Sequence, residues 1–222
     1  MTGTAGTAVD QRQGMAQAIE YWDRKSSVSS SFCESVEQRS RPQRMRYESF
    51  VLGNPVRDCS LLDVGCGAGD FLHHLHQREL NVRYTGTDVS GNMVDTCRRR
   101  FPQHEFQHVD IVDLQADRTF DYVVSFGIHN IRIDAGWDIL KATTAKQFEL
   151  CGKAAHLSIL TDRYEGFDPH IQSWTAERVL EIALAITPHV VLRHDYLPND
   201  FSVTLYREPL IDTAEALLLD YE

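Results

Sequence analysis

From residue 60 onward, short apolar runs rich in β-branched and aromatic residues alternate with longer, more polar segments. Runs of this length predict buried strands, and apolar residues spaced three or four apart between them predict amphipathic helices. The seven predicted strands read SLLDVG, VRYTGTDV, EFQHVDI, FDYVVSFGI, AAHLSIL, HVVLRHDY and FSVTLYR. The predicted helices lie near residues 69–79, 91–101, 134–151 and 174–186.

The order of these elements predicts an α/β fold. Strands that alternate with helices favour right-handed crossovers and a largely parallel sheet with helices on both faces. The last two strands differ, because no helix separates them and residues 197–200, Leu-Pro-Asn-Asp, have the composition of a turn. We therefore expect a seven-stranded, mostly parallel sheet that ends in a C-terminal antiparallel hairpin.

The region before the first strand has a different character. Residues 1–14 show no hydrophobic periodicity, and we expect them to form a disordered tail. Residues 15–57 are polar with scattered aromatic side chains, and Pro42 is suited to the first position of a helix. We therefore predict two units: residues 1–57, a tail plus an N-terminal helical cap or lid, and residues 58–222, the α/β core.

Composition excludes several classes of protein. The 222 residues suit a single domain, and a net charge of −10 disfavours non-specific binding to nucleic acid or anionic lipid. The five cysteines include no CxxC pair, and the first residues lack the basic and apolar regions of a secretory signal. No run approaches the roughly 18 apolar residues of a membrane span. We expect a cytoplasmic protein with no membrane, nucleic-acid or metal partner.

A glycine-rich turn is the strongest chemical signal in the chain. Residues 61–71 read LLDVGCGAGDF, so an apolar strand runs into three glycines and then into a predicted helix. Glycines allow a tight turn and let a ligand approach the backbone closely. The helix N-terminus beyond them offers free N–H groups to an anionic or polar ligand. The turn therefore predicts a cofactor site.

Three acidic residues stand at the ends of the first three predicted strands. Asp63 comes just before the glycines, Asp88 ends the second strand and Asp110 ends the third. Because the carboxyl ends of parallel strands meet at one edge of a sheet, these acids are expected to face one crevice. Asp88 has the spacing at which an acid binds ribose hydroxyls, and Asp110 is placed to accept from an adenine amino group.

The spacing within the turn separates two cofactor classes. Nicotinamide dinucleotides favour GxGxxG, whereas this chain has GxGxG preceded by an acid. The run DVGCGAG, the SGNM that opens the second helix, the Asp110–Ile111 pair and the terminal hairpin resemble class I S-adenosylmethionine-dependent methyltransferases. The resemblance extends from about residue 42 to residue 207. It implies a Rossmann-like fold with the last strand inserted antiparallel, S-adenosylmethionine as cofactor and S-adenosylhomocysteine as product.

The same resemblance assigns cofactor roles by position. It places the glycine turn against the methionine portion of the cofactor and the strand-end acids along its nucleoside. Arg46 is the candidate for the cofactor carboxylate, because a helix before the first strand often covers that end. The implied cofactor-binding residues are Arg46, Asp63, Gly65, Cys66, Gly67, Asp88, Val89, Met93, Asp110, Ile111, Ser125 and Gly127.

The methyl acceptor is expected beyond the end of the fourth strand. That strand ends SFGIHNI, without the (Asp/Asn)-Pro-Pro-(Tyr/Phe) run of many methyltransferases that act on base or glutamine amino groups. His129 and Asn130 are the catalytic candidates, with His129 as a base or a hydrogen-bonding clamp. Acidic and aromatic residues in later loops favour a cationic or amine-bearing acceptor. The substrate-binding candidates are Tyr21, Trp22, Asp162, Tyr164, Asp195 and Tyr196.

These features predict an enzyme that transfers a methyl group to N or O of a small-molecule acceptor. FGIHN, the Thr161–Asp162 pair and the hairpin sequence are similar to small single-domain bacterial methyltransferases, which implies a role in specialised metabolism. The alternatives are an RNA or protein methyltransferase, a non-catalytic cofactor-binding subunit and a nicotinamide oxidoreductase. A monomer and a homodimer are both compatible with the sequence.

Overall fold

The computed structural model describes residues 4–28, 32–115 and 117–211, with side chains for residues 11–24, 41–115 and 117–211. These residues form one sheet with helices on both faces. The strands are β1 (Cys59–Val64), β2 (Val82–Asp88), β3 (Glu105–His108), β4 (Phe120–Phe126), β5 (Cys151–Leu160), β6 (Val190–Leu197) and β7 (Asp200–Tyr206). The helices are α1 (Thr4–Val28), α2 (Phe32–Val51), α3 (Asp70–Gln77), α4 (Gly91–Arg100), α5 (Gly136–Leu150) and α6 (Ala176–Leu184), with a 3₁₀ turn at Ile111–Asp113.

The sheet has the strand order β3-β2-β1-β4-β5-β7-β6. The first five strands of this order are parallel, whereas β7 runs antiparallel between β5 and β6. The order in which successive strands are added reverses between β1 and β4, which places a crevice at the carboxyl ends of these central strands. The predicted α/β class, the Rossmann-like sheet of seven strands and the C-terminal hairpin are confirmed.

The central strands read as apolar runs because they are covered on both faces. Leu61 and Leu62 alternate sides on β1, and both are fully buried. Leu61 belongs to the cluster beneath α2, α3 and α4, and Leu62 to the cluster beneath α5 and α6. The helices each supply one apolar stripe to these clusters; in α3 it consists of Phe71, Leu72 and Leu75.

Two details of the N-terminal region differ from the expectation. Helix α1 begins at Thr4, whereas residues 1–14 were expected to form a disordered tail. That segment lacks hydrophobic periodicity, but its alanine and glutamine residues have high helix propensity. Pro42 lies inside α2 rather than at its first position, since Tyr47 and Phe50 anchor the helix in the core and tertiary packing outweighs the local signal. The division at residue 57 stays a prediction.

The four helices predicted between strands are found with shifts of only one or two residues at most ends. None of the helices described in the structure is long and apolar enough to cross a membrane.

Candidate functional site

A cavity of about 240 Å³ opens at the carboxyl ends of β1, β2 and β4. The glycine turn and the strand-end acids form one half of its lining. Helix α1 closes the cavity with one face, which presents Met15, Ala18 and Trp22 at helical spacing. The position matches the general rule that ligands of doubly wound sheets bind where the strand order reverses.

The glycine turn is held to β2 by backbone hydrogen bonds. The amides of Gly65 and Cys66 donate to the carbonyl of Thr87 at 2.8 and 2.9 Å. Gly65 and Gly67 have φ values of +70° and +54°, which side chains disfavour. A Cβ atom on Gly67 would meet no atom within 4 Å, so open space lies in front of its backbone. The turn therefore offers a ligand direct access to a peptide plane.

Asp88 braces this turn against the start of α4. Its Oδ2 accepts from the amide of Gly67 at 2.9 Å, and its Oδ1 accepts from the amide of Ser90 at 2.8 Å. Burial raises the pKa of the Asp88 carboxyl, while the two backbone donors oppose that rise. Each carboxylate oxygen has a second lone pair, so the group can still accept from ligand hydroxyls.

Asp63 lies at the centre of the site on β1 and is 2% exposed. The hydroxyl of Tyr84 donates to its Oδ2 at 2.5 Å. Burial raises the pKa of the Asp63 carboxyl to about 7, and the nearby Asp88 and Asp70 charges add to the rise. A carboxyl with this pKa is poised to ionise when a positively charged ligand group arrives.

The third acid, Asp110, begins the 3₁₀ turn after β3. Its side chain accepts from the amide of Val112 at 3.1 Å, and burial raises its pKa. Beside it, Val89, Met93 and Ile111 supply an apolar wall to the same cavity. An apolar wall next to a hydrogen-bonding edge is the arrangement that a purine ring requires.

His129 reaches the cavity from the segment after β4. Its Nε2 lies 3.0 Å from Oγ1 of Thr143, and Nε1 of Trp174 donates to its carbonyl at 2.9 Å. The hydroxyl of Thr143 donates to carbonyls of its own helix, so the hydrogen-bond network assigns the Nε2 proton to the histidine. Nδ1 is then an unprotonated acceptor. Burial lowers the pKa of His129 to about 4, so the ring is neutral near pH 7.

Most of the sequence-predicted cofactor residues meet at this cavity. Trp22 and His129 from the acceptor set line it as well. The predicted residues that line the cavity are Trp22, Asp63, Gly65, Cys66, Gly67, Asp88, Val89, Met93, Asp110, Ile111, Gly127 and His129.

Three other candidates lie outside the described lining. Nε of Arg46 instead donates to Oδ2 of Asp200 at 2.7 Å, so its guanidinium is taken by a buried carboxylate. Ser125 is 1% exposed inside β4, one residue short of the strand end. The backbone of Asn130 bonds to Gly127 and to Gln172, which gives it a place in the turn rather than in the cavity.

The structure does not bring the remaining substrate candidates to the cavity lining that it describes. Asp162 accepts from the hydroxyl of Thr175 at the start of α6, and Tyr164 is exposed beside Phe167. Asp195 pairs with Arg193, and Tyr196 donates to Asp200. The last two lie on the edge strand β6, which β5 and β7 separate from β4. Tyr21 borders a second groove, between α1 and residues 131–134.

Sequence reasoning missed several lining residues. Gln43 and Tyr47 come from α2, and Nε2 of Gln43 donates to the Tyr47 hydroxyl at 2.7 Å. Thr87 has a buried hydroxyl without a partner among the described residues, and Thr143 holds His129. The i, i+3, i+7 pattern of Met15, Ala18 and Trp22 was a readable signal for a covering helix, whereas nothing in the sequence pointed to Thr143.

The strand order, the open glycine turn and the three strand-end acids define a Rossmann-like protein with a nucleoside-type cofactor crevice. Residues 61–144 match the family model of the methyltransferase domain. A putative methyltransferase of Mycobacterium tuberculosis is 35% identical over 107 residues, which cover 43% of this chain and 63% of the relative. Trans-aconitate 2-methyltransferase of Rhodopseudomonas palustris is 35% identical over 75 residues, which cover 34% of this chain and 28% of that relative.

Solved structures agree on the fold. Magnesium protoporphyrin IX methyltransferase from Synechocystis, crystallised with bound SAH, superposes with a TM-score of 0.65 at 13% identity, covering 87% of this chain and 99% of that chain. Residues 61–144 thus resemble a methyltransferase domain in sequence, and the sheet shares the fold of this solved methyltransferase structure. This chain spans less than two thirds of the length of the two curated relatives.

Proposed function

We propose that this protein transfers a methyl group from S-adenosylmethionine to a small-molecule acceptor. One observation carries the proposal: a single cavity joins the open backbone of Gly67, the braced carboxylate of Asp88 and the neutral ring of His129. Gly67 and Asp88 are suited to a nucleoside-containing cofactor, and His129 lines the same cavity from the segment after β4. The match of residues 61–144 to the methyltransferase-domain model supports the same activity.

The residues present fit that cofactor. The space in front of Gly67 is where a Cβ would stand, and the buried Thr87 hydroxyl beside it has no partner within the described chain. Asp88 would hold the ribose hydroxyls and Asp110 the adenine edge, with Val89 and Met93 against the ring. Asp63 would hold the amino group of the methionine portion, and the role predicted for Arg46 has no support from its position beside Asp200.

When bound, S-adenosylmethionine supplies an activated methyl group. The protein then has to align the acceptor with that methyl and exclude water, and alignment alone can lower a barrier by roughly 7–11 kcal/mol. Helix α1 closes the cavity for this purpose. Its Gln17 exchanges two hydrogen bonds with Asp134, and its Asp23 accepts from Ser90 at 2.6 Å, so the lid is attached on both sides of the cavity.

The pKa of Asp63 predicts that cofactor affinity depends on pH. In the free protein this carboxyl is largely protonated below pH 7, and binding an ammonium group favours its ionised form. The affinity for S-adenosylhomocysteine is therefore expected to be full above pH 7 and to fall by up to about tenfold per pH unit below it. Calorimetric titrations at pH 5.5 to 8.5 measure the slope.

The variant Asp63→Asn isolates this contribution, because its amide oxygen can still accept from Tyr84. We expect weaker binding at pH 8 and a flatter pH profile than in the wild type. Asp113→Asn is the matched control, since Asp113 is exposed and outside the cavity lining. An unchanged pH slope in Asp63→Asn would show that Asp63 does not meet the ligand ammonium.

His129 is proposed to act on the acceptor and not on the cofactor. We expect His129→Ala to lower turnover by about 100-fold, a typical loss for a positioned proton-transfer or clamping group. The affinity for S-adenosylhomocysteine should change by less than about threefold. Steady-state kinetics and calorimetry on one preparation separate the two, with the exposed His73→Ala as control. Equal losses in both would give His129 a purely structural role.

The acceptor class is tested by a methyl-transfer screen over amine, hydroxyl and carboxylate metabolites, read by mass. A cytoplasmic enzyme of bacterial specialised metabolism is the setting we propose. Transfer to RNA or to protein is the second candidate, and the overall charge of −10 disfavours the RNA substrate. Labelled methyl incorporation into total RNA or lysate protein, with none in the metabolite screen, would favour that candidate.

A further inference from the structure

We propose that the methyl acceptor is an amine with an aromatic or apolar body, methylated at nitrogen from its uncharged form. This inference rests on the proposed methyltransferase function and adds the substrate class. It depends on three independent properties of the cavity: its charge, the shape of its acceptor half and the hydrogen-bonding direction of its polar groups.

The charge of the cavity disfavours a carboxylate acceptor. The described lining contains the carboxylates of Asp63, Asp70, Asp88 and Asp110, and no lysine or arginine. Asp70 is paired with Arg100 at 3.1 Å on the outer side of the turn, whereas the other three accept from neutral donors. An anionic acceptor brought into this space would lose water, find no lysine or arginine in the described lining and face like charges, each of which is unfavourable.

The nearest candidate cation is already engaged. Arg46 lies on α2 beside the lining residue Tyr47, but its guanidinium is bonded to Asp200 at 2.7 Å. Asp200 is fully buried and also accepts from Ser158 and Tyr196, so releasing Arg46 would leave a buried charge without its ion-pair partner. Such a release is costly, so Arg46 is held at Asp200, outside the described lining of the cavity.

We define the acceptor half of the cavity as the part of its lining outside the glycine turn and the strand-end acids, and this part is largely apolar and aromatic. Trp22, Tyr47, Phe126 and Ile139 line it from four different elements. Aromatic walls favour planar or apolar ligand bodies, and their faces also attract an amino group that is gaining positive charge. The lid helix α1 contributes Trp22, so the same contact that recognises the acceptor also excludes water.

Two polar groups of this half can accept hydrogen bonds from an acceptor amine. Nδ1 of His129 is an acceptor in the assigned tautomer, and the side-chain oxygen of Gln43 is another, because its Nε2 donates to Tyr47. An amine N–H can donate to both, whereas a carboxylate has no proton to offer. The hydrogen-bond acceptors and the negative charge of the cavity therefore both favour an amine over a carboxylate.

The chemistry of transfer agrees with this selection. The lone pair of a neutral amine forms the new N–CH₃ bond while the S–CH₃ bond breaks and its electron pair stays on sulfur. The positive charge moves to nitrogen, which then loses one proton to water or to His129. No base is needed before attack, whereas an alcohol or phenol must first lose its proton. Burial lowers the pKa of His129 to about 4, which makes it a poor base for that task.

The test compares acceptors that share a carbon skeleton. Two series are suitable: tryptamine, tryptophol and indole-3-propionate, and phenethylamine, phenethyl alcohol and 3-phenylpropionate. Binding of each to the protein saturated with S-adenosylhomocysteine is measured by calorimetry at pH 9, and methylated products are identified by mass. In at least one series the amine should bind at least tenfold more tightly than the carboxylate, and any product should carry the methyl on nitrogen.

The outcomes separate this inference from the proposed function. No binding of S-adenosylhomocysteine at all would reject the methyltransferase function itself. Binding of S-adenosylhomocysteine together with a carboxylate that binds as tightly as its amine, an O-methyl product, or failure of both amines to bind would overturn the amine proposal alone.

A charge introduced into the cavity gives a second test. Gln43→Lys places an ammonium group in the acceptor half, and we expect the amine-to-carboxylate affinity ratio to fall at least tenfold. Gln77→Lys makes the same change of charge on the exposed face of α3 and should leave the ratio unchanged. Equal ratios in both variants would show that the charge of this cavity does not select the acceptor.

Discussion

Replacing Asp88 with alanine is expected to weaken the affinity for S-adenosylhomocysteine by at least about 100-fold, a loss of about 3 kcal/mol. The carboxylate has two roles that the substitution removes together. It would bind the ribose hydroxyls directly, and its two oxygens hold the amides of Gly67 and Ser90 in place. Without it both amides lose their partner and the turn loses its brace. Calorimetry and ligand-induced thermal shift measure the effect.

Two further variants make this result specific. Asp88→Asn keeps the shape of the side chain but directs its NH₂ group at one of the two backbone amides, so it should also bind poorly. Asp95→Ala removes an exposed carboxylate from α4 and should bind like the wild type. An Asp88→Ala protein that is folded and binds S-adenosylhomocysteine with unchanged affinity would contradict the cofactor assignment.

The fold was largely predictable because its signals are local. The apolar runs of β1 and β4 are long enough to require burial on both faces, and residues 197–200 have the composition of a turn. The start of α1 and the position of Pro42 within α2 were less predictable, because hydrophobic pattern, local propensity and tertiary packing do not favour the same structure there. Packing decides the course of α2, because Phe50 is fully buried against the sheet.

The two halves of the cavity also differ in how far local sequence signals predict them. The cofactor half is built from residues that follow directly on strand ends, so the position of Asp63, Asp88 and Asp110 in the sequence also fixes their position in space. The acceptor half is assembled from α1, α2, the β4 end and α5, whose contacts are long-range. No local pattern shows that Thr143 meets His129, or that Asp200 takes Arg46 away from the cavity.

The hairpin candidates lie away from the described cavity lining for a topological reason. Asp195 and Tyr196 are chemically suited to an acceptor, but β7 inserts between β5 and β6 and moves β6 to the edge of the sheet. There Asp195 pairs with Arg193 and the Tyr196 hydroxyl supports Asp200. Composition alone assigns such residues to the acceptor site too readily, because it does not give their distance from the crevice.

A pair of glycine substitutions is expected to separate cofactor binding from folding. Alanine at Gly67 gains a Cβ that meets nothing within 4 Å in the protein, so the cost to folding is only the backbone strain, about 1–2 kcal/mol. The new methyl group occupies the space in which the cofactor would approach the peptide plane. We expect affinity for S-adenosylhomocysteine to fall at least about 100-fold, since a close-packed contact cannot absorb a methyl group cheaply.

Alanine at Gly65 should mainly reduce the stability of the fold, whereas alanine at Gly67 should mainly weaken cofactor binding. Its Cβ would stand 2.2 Å from Cγ2 of Ile128, and its φ of +70° adds strain. The collision is with a neighbouring side chain, so we expect the larger loss of stability here, about 3 kcal/mol from strain and overpacking together. Denaturant unfolding and calorimetry on both variants test this ordering. If Gly67→Ala bound normally while remaining folded, the cofactor would have to lie elsewhere than against Gly67.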